Sequence, residues 1–461
     1  MTTKASVVVI GGGISGLTAT YRLQKLGFRV LLLEQQEQAG GRAQSLELSD
    51  FSINLGANHF LESHHTAMKF AAEIGVPLRR TPLPIHSGVY KNGRIHGLYG
   101  GQKFSDLLRT VYSLLPFRLL SLKGCTELFK LVKMLQLQHA ELNRDDYMQG
   151  RCFDVGQNVQ EFFEQEIGTD ALDWLFSPGL LGYCFAKPEE IGAATALTVL
   201  WQSGLSGKAW PCLPEGGMNK FVQKLVEICE KSLRVKARVI GIDLAEDNRW
   251  QVVTEDQSYA ADAVVCATTA TEAAKIVDRL PPALRTALER MTYSKCCRAF
   301  FAMDTSPIPK DWYAIGIPHR VGSILAGISD SAVLAPEIAP ERGYVIDALA
   351  VDDAADGLFV QENSVVTDRL YSEMRKFFPH MEPAANWAYV HKWPQAMCLS
   401  PAGALQSLEE VLENRVNRPS GLFFAGDYLG IPSLNTAIRS GLEAAHSCEQ
   451  YLSLQYSTGD N

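Results

Sequence analysis

The run Val7 to Arg42, VVVIGGGISGLTATYRLQKLGFRVLLLEQQEQAGGR, constrains the fold of this chain more than any other segment. Ala5 to Ile10 is uncharged and rich in β-branched residues, as a parallel strand covered on both faces requires. Glycines follow at once. A helix is expected from Gly13 to Leu26, ended by Gly27, and a second apolar strand, Phe28 to Leu33, finishes at Glu34. Gly11-x-Gly13-x-x-Gly16 therefore lies between a strand and a helix, where the pattern has a physical meaning. Gly11 permits a tight turn, Gly13 lets backbone approach a pyrophosphate, and Gly16 lets the helix close on the strand. The helix start, with Ile14 and Ser15, stabilises negative charge through its free amides. Glu34 stands where a carboxylate accepts hydrogen bonds from ribose hydroxyls and repels a phosphate, so a dinucleotide other than NADP is expected.

Bulk properties narrow the remainder. A chain of 461 residues is too long for one hydrophobic core and suggests two intertwined units. A net charge of −8 gives no basic footprint for a phosphate backbone, so nucleic acid is not expected as a partner. The ten cysteines stand as singles apart from Cys296-Cys297, and the start MTTKASVVVI lacks the pattern of a secretory signal. Reduced thiols in a cytoplasmic compartment are the expectation. Histidines show no metal-ligand spacing with cysteine or carboxylate, and no metal is inferred. No run is long and apolar enough for a spanning helix. Phe104 to Leu137 is leucine-rich, broken at Pro116, and carries Arg109, Arg118, Lys123, Lys130 and Lys133 against Asp106 and Glu127. Two readings fit it: surface helices with an apolar face packed on the protein, or an interfacial pair making peripheral contact with a membrane.

Helical periodicity recurs at Leu107 to Leu142 and Val159 to Trp174. From Phe221 a helix leads to alternating strands around the polar turns EDNR and EDQS, then to the apolar strand Ala263 to Ala267. Residues 291 to 395 mix strands and helices, and the C-terminal GLFFAGDYLGIPSLNTAIRSGLEAA returns to strand, loop, helix. The expected fold class is α/β. A discontinuous Rossmann-like cofactor domain takes 1–80, 211–290 and 395–461. An α+β substrate domain takes 81–210 and 291–394, with a mixed sheet and a helical insertion at about 104–145.

Four further blocks carry a family likeness. Gly40-Gly41-Arg42 follows the acidic residue at short range, Asn54-Leu55-Gly56-Ala57-Asn58-His59 comes next, Leu213-Pro214-Glu215-Gly216-Gly217-Met218 stands mid-chain, and Gly421 to Ala445 closes it. Together these resemble the flavin-containing amine oxidase superfamily, which includes monoamine and polyamine oxidases, protoporphyrinogen oxidases and phytoene desaturases. The resemblance implies non-covalent FAD. Gly41 and Arg42 would meet its phosphates, Gly56, Ala57 and Asn58 would flank the isoalloxazine, and Val239 would meet the adenine through its backbone. Gly426-Asp427 would reach the ribityl and phosphate region, and the helix start at Asn435, Thr436 and Ala437 would aim its amides at flavin N1 and O2.

Within the superfamily, NVQEFFEQEIGTDALDWLFSPGLLGYCFAKPEEIGAATAL and HKWPQAMCLSPAG look most like protoporphyrinogen oxidases, although Cys398, Ser400 and Ala404 depart from the usual residues of the second block. The aromatic cage of monoamine oxidases would fall at Leu399 and Leu434, which together with Trp393 are candidate substrate contacts. Cys398 is too close to Trp393 to match the cysteine that anchors flavin in those enzymes. Arg298, or Lys295, matches their lysine near flavin N5; Arg298 would hold a substrate carboxylate or orient a water, or is simply a paired strand residue. His59 follows the flavin-flanking segment, where an unperturbed imidazole exchanges protons near neutral pH. The expected activity is FAD-dependent hydride removal from a C–H or CH–NH bond of a sizeable, largely apolar substrate, with O2 reoxidising the flavin. Amine or amino acid oxidation and polyene desaturation or isomerisation are the alternatives. A carrier without redox function, like the Rab escort and GDP-dissociation-inhibitor proteins of this fold, is disfavoured because Glu34, Arg42 and Asp427 all persist.

Overall fold

The structure is a computed structural model that describes residues 5–101, 103–206, 210–340, 343–381, 386–413 and 420–458. Ser6–Ile10 is buried along its whole length and pairs in parallel with Arg29–Leu33 on one side and Ala263–Cys266 on the other. Leu233–Arg234 and Leu422–Phe424 extend this into a five-stranded parallel sheet. Its strands come from three distant stretches of chain. The intervening helix, Ile14–Lys25, ends two residues before Gly27, whose φ of 90° is the left-handed residue anticipated there. The C-terminal helix Leu434–Thr458 crosses Ile14–Lys25 so closely that a Cβ on Gly441 would collide with the Ser15 carbonyl. The polar turns at 245–249 and 255–257 join an antiparallel meander of Val239–Leu244, Trp250–Thr254 and Ser258–Ala261.

A second, seven-stranded sheet runs in the order Trp387–Trp393, Cys296–Met303, Tyr344–Val351, Gly327–Asp330, Ala314–Gly316, His86–Lys91, Arg94–Tyr99. It is mixed, being antiparallel except where Ala314–Gly316 meets His86–Lys91. Alternation along Cys296–Met303 assigns its two faces. Cys297, Ala299, Phe301 and Met303 pack with Leu358, Val366, Leu370 and Met374 of the covering helices. Cys296, Arg298, Phe300 and Ala302 turn the other way, Arg298 into the cavity and Phe300 and Ala302 against Phe51, Ile53 and Leu55.

The helical segments depart from simple periodicity in two ways. Val159–Phe162 widens into a π-turn at Phe163–Ile167 before Gly168, and Leu172–Phe176 is wound likewise. Phe104–Leu114 turns Asp106 and Ser113 inward and leaves Phe104, Leu107, Leu108, Val111 and Tyr112 exposed. This overturns, for the first helix of the pair, the reading in which an apolar face packs on the protein; in the second, Leu122–Leu137, Leu131 and Leu135 do pack inward.

Candidate active site

A cavity of about 1080 Å³ runs from the carboxyl ends of the parallel strands to the mixed sheet. Ligands of open α/β sheets bind outside those strand ends. At its first end lie Gly11, Glu34, Arg238, Val239 and Ile240. The buried Glu34 carboxylate accepts the amides of Gly12 at 2.6 Å and Gln36 at 2.8 Å, which orient it and leave lone pairs for an incoming donor. Gly11, at φ 99°, has no room for a side chain, since an added Cβ would lie 2.7 Å from the Ala267 carbonyl oxygen. Gly16 lies outside the lining, and a Cβ there would collide with the Gly11 carbonyl. Gly13 caps Ile14–Lys25 with open space beside it and no side-chain cap, so amides of the first turn, beside Ile14 and Ser15, meet the cavity.

The middle of the cavity is built from three remote loops. Arg42 makes a two-pronged ion pair with Asp427, Nη1 to Oδ2 at 2.9 Å and Nη2 to Oδ1 at 2.8 Å. That pairing outweighs burial and holds the guanidinium above its usual range. The Ala57 amide donates to the Arg42 carbonyl at 3.0 Å and Leu55 to Gln44 at 3.1 Å, and a Cβ on Gly56 would collide with the Arg42 carbonyl. Gly41, Gly56, Ala57, Asn58 and Gly426 line the same stretch. Leu434 and Ala437 bring the start of the last helix to the wall. Asn435 and Thr436 lie behind it. Asn435 accepts from the Ala67 amide at 2.9 Å and donates to Asp145 at 2.5 Å, while Thr436 donates to the Ile431 carbonyl at 2.5 Å. These bonds anchor the turn that aims the helix.

Beyond Gly56 the cavity opens against the mixed sheet. Arg298, 3% exposed, is paired with Asp347 at 2.6 Å and donates to the carbonyls of Leu55 at 2.5 Å and Gly56 at 3.3 Å. Its guanidinium is therefore neutralised and spent on the flanking segment rather than free for a substrate carboxylate. The Trp393 indole also donates to the Leu55 carbonyl, at 2.7 Å. His59 keeps some surface open to the cavity, yet the protein around it pushes its imidazole down to about 4. It is thus a neutral base at pH 7, unlike the unperturbed imidazole expected. Its Nδ1 and the Asn58 Oδ1 have no hydrogen-bond partner among the described residues, while Asn58 Nδ2 donates to the Tyr313 hydroxyl at 2.9 Å.

Two of the candidate residues lie elsewhere. Leu399 is buried in the core away from the lining, next to the bridge between Tyr293 and Cys398. Lys295 is exposed and paired with Asp356. Cys398, also off the lining, is pushed by burial up to about 12 and contacts Ser400. Sequence reasoning gave no role to Asp347, Tyr313, Tyr183 or His391, although Tyr183 and His391 fall within the two segments that resemble protoporphyrinogen oxidases; strand alternation, read against Arg298, is the signal that could have found Asp347.

The donor set fits a flavin dinucleotide: an oriented carboxylate, an uncapped helix start, an arginine fork and a second helix start follow one another along a single cavity, with glycines where backbone must approach. Comparison with known proteins agrees. The pattern for flavin containing amine oxidoreductases matches residues 14–448. The mitochondrial protoporphyrinogen oxidase of Nicotiana tabacum is 21% identical over 97% of this chain and 95% of its own. An L-amino-acid oxidase of Gloydius halys is 24% identical over 95% and 88%. Among solved structures, cyclohexylamine oxidase from Brevibacterium oxydans superimposes with a TM-score of 0.74 at 17% identity, over 98% of this chain and 100% of the other. The chain belongs to the flavin-containing amine oxidoreductase family.

Proposed function

We propose that this enzyme uses non-covalent FAD to take a hydride equivalent from a C–H bond of a sizeable, largely apolar substrate, in the manner of the protoporphyrinogen oxidases, with O2 as final acceptor. The observation that carries this reading is the far chamber. Its wall includes Leu98, Leu175, Leu180, Phe185, Val199 and Ile328. Among its ionisable groups, Arg298 is matched by Asp347, Lys392 is tied to the Phe359 and Gln361 carbonyls, and His59 and His391 are pushed down to about 4. Burial holds the hydroxyls of Tyr183 and Tyr313 protonated. Such a wall excludes water and offers an apolar ring system a large contact area. An amino acid would need a free cation for its carboxylate, and the Arg298 fork is already filled.

When bound, FAD supplies the hydride-accepting centre. The chain's part is positioning. Glu34 and the uncapped helix hold the nucleotide end, Arg42 with Asp427 braces the centre, and Arg298 with Trp393 fixes the Leu55 carbonyl so that residues 56–59 keep their place. No described lining residue at this end is a free carboxylate, which suits a substrate already electron-rich enough to need no strong base. The absence of cysteine from the described lining supports non-covalent attachment.

Anaerobic addition of porphyrinogens, amines, L-amino acids and polyenes to the FAD-loaded enzyme tests the reading. Bleaching of the flavin by a porphyrinogen, with peroxide formed once air is admitted, is expected. Bleaching by an amine or amino acid alone would replace this substrate assignment, and a protein that stays colourless after incubation with FAD would replace it with a carrier.

A further inference from the structure

We propose that the helical hairpin Phe104–Leu137 is a docking surface for an anionic lipid bilayer, its apolar side chains entering the interface and its basic residues meeting the headgroups. The helix Phe104–Leu114 is inverted relative to an ordinary surface helix, with Asp106 and Ser113 buried and its apolar residues in solvent. Phe104 is 72% exposed, and beyond the break at Pro116, Phe117 is 93% and Phe129 72% exposed. Isolated exposed hydrophobics are common; a continuous series on one hairpin marks an interaction surface.

The charges identify the partner. Both acids of the hairpin point inward, Asp106 buried and Glu127 accepting the Ala171 amide at 3.0 Å. The charged residues left exposed on it, Arg109, Lys123, Lys130 and Lys133, are all basic, on a chain whose net charge is −8. A second copy of the chain would fit poorly, since a two-fold contact brings each basic patch against its own copy. An anionic lipid surface complements both the charge and the apolar side chains. No described helix is long and apolar enough to cross a membrane, so docking is peripheral. Thr110 of the hairpin donates to the Tyr99 carbonyl and accepts its amide at 2.8 Å. This fixes the hairpin to the strand Arg94–Tyr99, whose Leu98 lines the chamber.

Flotation of the FAD-loaded full chain with phosphatidylcholine vesicles, with and without phosphatidylserine, tests the proposal. Binding is expected with phosphatidylserine, weakened by salt. F117S with F129S should abolish it while flavin content and thermal midpoint stay unchanged. Each of K123Q and K130Q should weaken it by about fivefold. Protein that remains unbound to both vesicle types, or binds both equally, overturns the proposal. So does sedimentation showing a dimer that F117S with F129S dissociates, which would make the surface a self-interface. Flotation needs no turnover, so its outcome is independent of the substrate assignment.

Discussion

At the scale of single residues, Arg298 best shows how context sets a role. Strand alternation aims it at the cavity, but Asp347 on the adjacent strand absorbs its charge, and its remaining donors tie down Leu55 and Gly56. R298M leaves a buried carboxylate unpaired and should cost about 3–5 kcal/mol in denaturant unfolding, with D347L added to it restoring most of the loss. Glu34 acts differently, because its lone pairs are only partly used by Gly12 and Gln36. E34Q keeps the shape and removes the charge, so FAD affinity measured by fluorescence titration should fall about tenfold, the size expected for weakening a charge-assisted hydrogen bond.

At the scale of elements, the strand-to-helix unit depends on close backbone contact. The Gly16 Cα faces the Gly11 carbonyl with no space between them. G16V must push the helix Ile14–Lys25 off its strand, which moves the amides that meet the cofactor. Loss of bound flavin on gel filtration, together with a lowered thermal midpoint, is the expected outcome. This unit was legible in the chain because glycine spacing, strand composition and the terminal acid all report on the same local geometry. The hairpin at 104–137 was not. Its composition suits burial or exposure equally, and only the inward turn of Asp106 and Glu127 distinguishes them.

At the scale of the whole molecule, buried titratable groups give the fold its pH dependence. His59 and His391 are lowered by burial from 6.5 to about 4, so between those values the unfolded chain binds protons that the folded chain does not. Their contribution to stability is complete above about 6.5 and is lost as pH falls toward 4. Asp330 works in the opposite sense. Burial raises it from 3.8 to about 6, and its contribution is lost as pH rises through that window. Thermal melts across acid pH should show a falling midpoint below 6.5, flattened by H59Q with H391Q and steepened by D330N.

By itself, the order of residues determined the cofactor layer. Val7 to Glu34, Gly41-Arg42, Gly56-Ala57 and Gly426-Asp427 are short motifs whose chemistry is carried by backbone approach and charge, and such demands are written locally. Tertiary structure alone decided the substrate end. Whether Leu399 faces a cavity, whether Arg298 is free, whether His59 holds a proton and whether Phe117 meets solvent all depend on what distant strands and helices bring alongside. Burial and pairing are properties of the assembled molecule, and no local pattern in this chain encodes them.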